Sequence, residues 1–264
     1  GDFKQLAHEL TIQIASMNPL TAEELLLQPY VRDPSRNIGD FIKGARAMSL
    51  RGITCTMPHK EIVMPYLDKI DEHAQRIGAV NTVVNDEGVL TGYNTDWIGA
   101  VKPLKNVVEL KGKKVAVIGA GGAAKAFVYG LTNEGCDVTV YNRTVEKAKD
   151  LAERFSCSYS PLDKQSEIKN ADIVCNATSV GFVGQDTQIP IDPENLSSNQ
   201  IVFDAVYSPL KTELLKYAES IGAKTVYGSE MYLHQGFEQI KLYTGQEAPE
   251  EAMRSFVMEL INAK

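Results

Sequence analysis

Residues 113–148 read KKVAVIGAGGAAKAFVYGLTNEGCDVTVYNRTVEKA. Val115 to Ile118 form a short apolar run between lysines and Gly119, the pattern of a buried strand. Gly119, Gly121 and Ala124 fit G-x-G-x-x-[GA]. In that pattern the first glycine permits a tight turn, the second lets backbone approach a diphosphate, and the small third residue lets a helix pack on the strand. Ala123 to Leu131 continues at helical spacing, Gly135 is placed to end the helix, and Val138, Val140 and Tyr141 supply a second strand. Together these predict a βαβ unit of a doubly wound α/β sheet, with a diphosphate on the helix N-terminus formed by Gly119, Ala120, Gly121, Gly122 and Ala123.

The end of the second strand selects the dinucleotide. A site that prefers NAD places Asp or Glu there for the ribose hydroxyls. Here Asn142, Arg143 and Thr144 follow the strand, with Lys147 one helical turn on. A cation and neutral donors suit a 2′-phosphate, so NADP is the expected cofactor.

Working outward, the alternation continues on both sides. Strands are expected near Ser158, at Ile173–Cys175, at Ile201–Phe203 and at Thr225–Tyr227. Helices are expected to about Phe155, over Leu210–Ile221, from Met231 to Tyr243 and from Glu250 to Ile261. Upstream, Leu10, Ile12 and Ile14 alternate like a strand, and Thr21 to Glu24 before Leu25–Leu27 resembles a capping box. Ile38, Phe41, Ile42, Ala45 and Met48 are spaced for a helix, with Gly52 as its C-cap before a strand at Ile53–Met57. Residues 59–78 read as two helical pieces interrupted near Asp68–Asp71, and Val80–Val84 with Val89–Tyr93 as a hairpin. The last helices follow the last strand of the nucleotide sheet. The expected organisation is therefore a discontinuous α/β substrate domain, residues 1–97 and 230–264, with a Rossmann-type domain inserted at 98–229. Substrate and cofactor are expected to meet in the cleft between the two.

Composition narrows the partners. The 264 residues carry a net charge of −7, which disfavours nucleic acid and anionic membrane surfaces as partners. Cys55, Cys136, Cys157 and Cys175 are widely spaced and form no C-x-x-C pair, so neither a metal cluster nor a disulfide framework is expected and the cytoplasm is the simplest compartment. His8, His59, His73 and His234 lack metal-ligand spacing and read as residues on the surface or behind the site. No apolar run is long enough to span a membrane.

Several further segments occur in one order: Thr56-Met57-Pro58-His59-Lys60-Glu61, Gly78-Ala79-Val80-Asn81-Thr82, Gly92-Tyr93-Asn94-Thr95-Asp96, Asn176-Ala177-Thr178-Ser179 and the stretch from Gly228 to Gln235. With the glycine loop and Asn142-Arg143-Thr144, they resemble the shikimate dehydrogenase family over residues 38–262. The resemblance implies reversible, NADPH-linked reduction of 3-dehydroshikimate to shikimate by a monomer or homodimer. It also implies that Lys60 and Asp96 are the catalytic pair. The chemistry is consistent with that pairing: a hydride arriving at a ketone leaves an alkoxide, which an ammonium can stabilise and protonate, and a neighbouring carboxylate can orient the amine. The resemblance further implies that Thr56, Asn81, Tyr207 and Gln235 contact the substrate and that Ala177, Thr178, Ser179, Val206, Gly228 and Met231 line the nicotinamide side. The family's N-terminal segment, with two hydroxyls for the substrate carboxylate, is not found here; Ser16 and Thr21 offer two hydroxyls at about that place. Thr54 replaces the usual Asn, and Trp97 the usual Gly after the catalytic Asp. The alternatives are a quinate dehydrogenase, another divergent oxidoreductase of this type, and an NADP-binding regulatory protein without turnover.

Overall fold

The computed structural model describes residues 14–15, 34–56, 58–183 and 188–262. The expected capping box at Thr21–Glu24 lies outside them, as do Ser16 and Thr21 themselves. Contacts divide the chain into two compact units, residues 1–95 with 238–248, and 96–237 with 249–264.

The first unit is built on a five-stranded mixed sheet. Its elements in chain order are β1 (Ile14–Ala15), α1 (Pro34–Ala47), β2 (Gly52–Thr54), α2 (His59–Ile62), β3 (Lys69–Ile70), α3 (Glu72–Ile77), β4 (Thr82–Asp86) and β5 (Val89–Tyr93), with sheet order β1-β2-β4-β5-β3. β4 and β5 form the expected hairpin, register Thr82↔Tyr93 to Asp86↔Val89. Glu87 (φ 51°) and Gly88 (φ 90°) both take left-handed backbone in its two-residue turn, matching the right-handed twist of the strands. The core holds Ile38, Ile42, Val63, Val80, Val83 and Leu90.

Two local expectations are corrected here. Gly52 lies within β2 rather than capping α1, which ends before Ser49 in the left-handed region (φ 54°). Gly52 is needed for packing instead, since a Cβ there would stand 2.3 Å from the Tyr243 ring. The break near Asp68–Asp71 contains a strand: β3 pairs parallel with β5, Lys69↔Thr91 and Ile70↔Gly92. Two residues are too short a run to show a period in sequence. Asp71 then caps α3, accepting the His73 N–H at 2.9 Å.

The second unit is an all-parallel six-stranded sheet. Its elements are α4 (Asp96–Lys105), β6 (Lys114–Ile118), α5 (Gly122–Asn133), β7 (Asp137–Asn142), α6 (Val145–Phe155), β8 (Ser158–Pro161), β9 (Ile173–Asn176), β10 (Ile201–Asp204), α7 (Glu213–Ser220), β11 (Lys224–Val226), the first part of α8 (Gly228–Thr244), whose residues from Glu238 on belong to the first unit, and α9 (Glu250–Asn262). The order β8-β7-β6-β9-β10-β11 is the 3-2-1-4-5-6 arrangement of dinucleotide-binding sheets. Alternate residues serve opposite faces. Val115, Val117, Ile173, Cys175 and Phe203 join one apolar cluster with Phe127 and Leu131 of α5, while Ala116, Ile118, Val174 and Val202 join another with Leu214 and Leu215 of α7. Covering both faces leaves the strands almost wholly apolar, as parallel sheets require. α5 ends as expected, with Gly135 at φ 78° and the Cys136 N–H reaching the Leu131 carbonyl. Among the described residues, no helix is long and apolar enough to cross a membrane.

Candidate active site

In the first unit, three of the motif segments are tied together by main-chain hydrogen bonds. The Cys55 N–H donates to the Asn81 carbonyl (2.7 Å), the Val80 N–H to the Lys60 carbonyl (2.7 Å) and the Asn81 N–H to the Tyr93 carbonyl (3.0 Å). Asn94 Nδ2 adds a bond to the Ala79 carbonyl at 2.9 Å. Thr56, Lys60, Asn81 and Thr95 therefore belong to one frame, although they are spread over three separate stretches of the sequence. Thr56 and Lys60 are half-buried, whereas Asn81 is buried.

Asn81 serves that frame directly. Its Oδ1 accepts from the Thr95 N–H (2.8 Å) and the Thr82 hydroxyl (2.8 Å), and its Nδ2 donates to Thr95 Oγ1 (2.9 Å). Gln239 in turn donates to Thr82 Oγ1 at 3.0 Å. Asp96, the next residue after Thr95, opens α4 and is 8% exposed. The departure at Thr54 is absorbed by packing: its hydroxyl meets the Tyr243 hydroxyl at 2.9 Å.

His59 and His234 are buried, and their ring nitrogens have no hydrogen-bond partner among the described residues. Burial holds both imidazoles below the ordinary histidine value. His73 is exposed, and His8 lies outside the described residues. No group of three His, Cys, Asp or Glu side chains is placed to hold a metal ion among the described residues. All four cysteines are free, and burial raises every thiol, so none is poised as a nucleophile.

In the second unit the glycine loop has the properties a diphosphate site requires. Gly119 takes φ 110°, and a Cβ there would stand 2.9 Å from Thr178 Cγ2, so both the turn and the packing exclude a side chain. Gly121 and Gly122 are exposed with open space around them, and Gly121 caps α5 without any side-chain bond to its N-terminal N–H groups. The first N–H groups of a helix have no partner within it and are available to an anion. Ala124 is fully buried beneath them. At the end of β7, Asn142 Nδ2 donates to the Thr144 carbonyl at 2.8 Å, while Arg143, Thr144 and Lys147 lie toward solvent. Thr144 stands at the N-cap of α6 but makes no side-chain cap bond, which leaves its hydroxyl available. This loop and these donors fit a dinucleotide phosphate.

The remaining candidates of this unit gather beyond the carboxyl ends of β9, β10 and β11. Ala177 and Val206 are buried, Thr178 is half-buried and Ser179 exposed. Gly228 opens α8 where a Cβ would be 2.3 Å from the Val206 carbonyl oxygen. Gly99 of α4 likewise leaves room for Met231 and Gln235. Tyr207 packs against Tyr232 (ring centroids 5.3 Å apart) and edge-on to Phe182 (5.7 Å). Gln235 Nε2 donates to the Tyr232 carbonyl at 2.9 Å. Trp97 meets Tyr129 edge-on at 5.9 Å, so its ring is part of the helix packing in this unit. Sequence reasoning missed Asp204 and Thr212, which are buried at the end of β10 and just before α7. A polar residue closing an apolar strand was the available signal.

Comparison with known proteins agrees with this geometry. Family models for the shikimate dehydrogenase substrate binding domain, shikimate / quinate 5-dehydrogenase and the shikimate 5'-dehydrogenase C-terminal domain match residues 15–83, 102–186 and 228–255. The chain is 43% identical over 232 residues to the shikimate dehydrogenase (NADP(+)) of Thermococcus kodakarensis, covering 87% of this chain and 84% of that one. A crystal structure of a shikimate dehydrogenase in complex with NADP+ superposes with a TM-score of 0.82 at 37% identity, over 86% of this chain and 82% of the other. The shikimate 5-dehydrogenase of Thermus thermophilus in complex with NADP(H) and shikimate gives 0.80 at 36% identity, over 86% and 85%.

Proposed function

The chain belongs to the shikimate dehydrogenase family, and from that membership and the residues described above we propose that it catalyses the reversible, NADPH-linked reduction of 3-dehydroshikimate to shikimate. The observation that supports the reading is the hydrogen-bonded frame of residues 55–60, 79–82 and 93–95, which ties the Lys60 carbonyl to Val80 and Asn81 to Thr95.

The nicotinamide supplies the hydride. The Lys60 ammonium stabilises charge on the ring oxygen and delivers the proton that makes the alcohol, then regains one from solvent. Asp96 orients the amine and accepts from the neighbouring substrate hydroxyl. Thr56, Asn81, Tyr207 and Gln235 hydrogen-bond the polyhydroxylated ring, and Ser16 with Thr21 hold its carboxylate. Gly119 to Ala123 cradle the diphosphate, Asn142, Arg143, Thr144 and Lys147 bind the adenosine 2′-phosphate end, and Ala177, Thr178, Ser179, Val206, Gly228 and Met231 line the nicotinamide side. In functional terms residues 1–97 with 230–264 serve the substrate and 98–229 serve NADP. The reading places the enzyme in the cytoplasm as a monomer or homodimer, a compartment that four unpaired thiols support.

The test is a panel of shikimate and quinate with NADP+ and NAD+, followed through the absorbance of the reduced nicotinamide. Shikimate with NADP+ should be the fastest combination. Faster oxidation of quinate would make this a quinate dehydrogenase, and NADP binding without turnover of either acid would make it a regulatory protein.

A further inference from the structure

Asp204 ends β10 with no exposed surface, and three donors converge on its carboxylate. Asn176 Nδ2 and the Val206 N–H reach Oδ1 at 2.9 and 3.0 Å, and the Thr212 hydroxyl reaches Oδ2 at 2.6 Å. Asn176, at the end of the adjacent strand β9, turns its own Oδ1 to the Thr178 N–H (3.0 Å) and the Thr178 hydroxyl (2.7 Å). Thr178 Oγ1 then accepts the Val180 N–H at 3.2 Å. One carboxylate is thus the common anchor of two loops, Ala177–Ser179 through Asn176 and Val206–Tyr207 through the Val206 N–H. Thr212 also caps α7, accepting the Leu215 N–H at 3.3 Å.

A carboxylate is an inefficient means of stabilising this place, because burying a charge costs more than a few hydrogen bonds return. What it supplies is a single geometry, since each oxygen has an assigned donor on a different segment. Burial raises the acid to about 6 even against those three donors.

We propose that Asp204 is a positioning residue for hydride transfer, setting through Asn176 and Val206 the two loops that flank the nicotinamide. The inference rests on the assignment of those loops to the nicotinamide side, and it adds two residues, Asp204 and Thr212, to the machinery.

The experiment compares the full chain with Asp204→Ala, Asp204→Asn and Thr212→Val in two readouts, steady-state kinetics and the fluorescence spectrum of bound NADPH. With Asp204→Ala, misplacement of the ring by an ångström should lower kcat about 10²-fold. The enhancement and blue shift of NADPH fluorescence should be reduced, and the NADP/NAD preference should hold because Arg143 is untouched. Asp204→Asn should recover most of both signals: its amide oxygen can keep the Asn176 and Val206 bonds while its NH2 donates to Thr212, whose hydroxyl can reverse. Unchanged kcat and fluorescence in Asp204→Ala, with only a lower melting temperature, would overturn the proposal. So would an Asp204→Asn variant as poor as the alanine. If the alanine variant does not fold, Thr212→Val decides: reduced kcat and fluorescence support the proposal, and a change in thermal stability alone overturns it. Wild-type protein that binds NADPH but does not turn over shikimate would count against the proposed function, and the fluorescence comparison would still judge Asp204.

Discussion

Asn81 holds Thr95 at two points, accepting its N–H at 2.8 Å and donating to its hydroxyl at 2.9 Å, and the residue after Thr95 is Asp96. This side chain therefore fixes the residue that precedes the proposed catalytic carboxylate. Asn81→Ala leaves two buried groups of Thr95 without partners, which costs about 1–3 kcal/mol for each group left unpaired. Its melting temperature should fall, and its kcat should fall further than the loss of folded protein explains. If kcat per folded molecule stays at the wild-type value, Asn81 is a structural residue only.

Charge on the ring oxygen develops only as hydride arrives, so Lys60 should act in the transition state more than in the ground state. Lys60→Ala is expected to reduce kcat by about 10²-fold or more, the range of a positioned proton donor or oxyanion contact. Affinity for NADPH should barely change. Asp96→Asn should also damage turnover with the fold intact. Near-wild-type turnover by Lys60→Ala would discard the mechanism and leave the family assignment standing.

Arg143 is exposed just after β7 and Lys147 in the first turn of α6, and Asn142-Arg143-Thr144 offers no acid to receive a ribose hydroxyl. A guanidinium paired with a phosphate is a charge-assisted bond worth about 1.5–3 kcal/mol, so Arg143→Asp should shift the NADP/NAD ratio of kcat/KM roughly 10- to 100-fold toward NAD. Equal wild-type activity with the two cofactors would remove the basis for this role.

Stability should depend on pH through His59, whose buried ring has a folded-state pKa below the ordinary value. The unfolded chain then takes up a proton near pH 6.5 before the folded protein does, so the His59 contribution is complete above that pH and is lost as pH falls through it. His234 acts in the same direction. Asp204 acts in the opposite one: with its folded acid at about 6, the folded state holds the extra proton, and its contribution declines as pH rises from about 4 to 6. His59→Leu isolates the first effect. Urea midpoints measured from about pH 5.5 to 7.5, the span around the ordinary histidine value, should show the variant gaining on wild type as pH falls. Parallel curves would show that His59 does not set the acid limb.

The doubly wound sheet was legible because its code is local. Val115–Ile118, the turn at Gly119–Gly121 and small Ala124 announce one βαβ unit through consecutive residues, and covering both faces of a parallel sheet forces the other strands into short apolar runs. Lys60 and Asp96 were proposed as a catalytic pair only through a family resemblance, since alone each is an unexceptional charged residue. Pairing across distance was less legible. β3 is two residues long and takes its identity from β5. Gly52 resembled a helix stop because nothing near it in sequence mentions Tyr243.

The sequence by itself determined the two kinds of element, the glycine loop, the cationic residues after β7 and the motif set that marks the family, because each is written in contiguous residues with a fixed local geometry. Only the tertiary structure decided that Asn81 is bonded to Thr95, that His59 is buried with no hydrogen-bond partner among the described residues and that Asp204 joins two loops. Those facts depend on burial and on partners remote in sequence, 28 residues apart for Asp204 and Asn176. A hydrogen bond in a dry interior is specified by the fold that brings its donor and acceptor together, and by nothing in either residue alone.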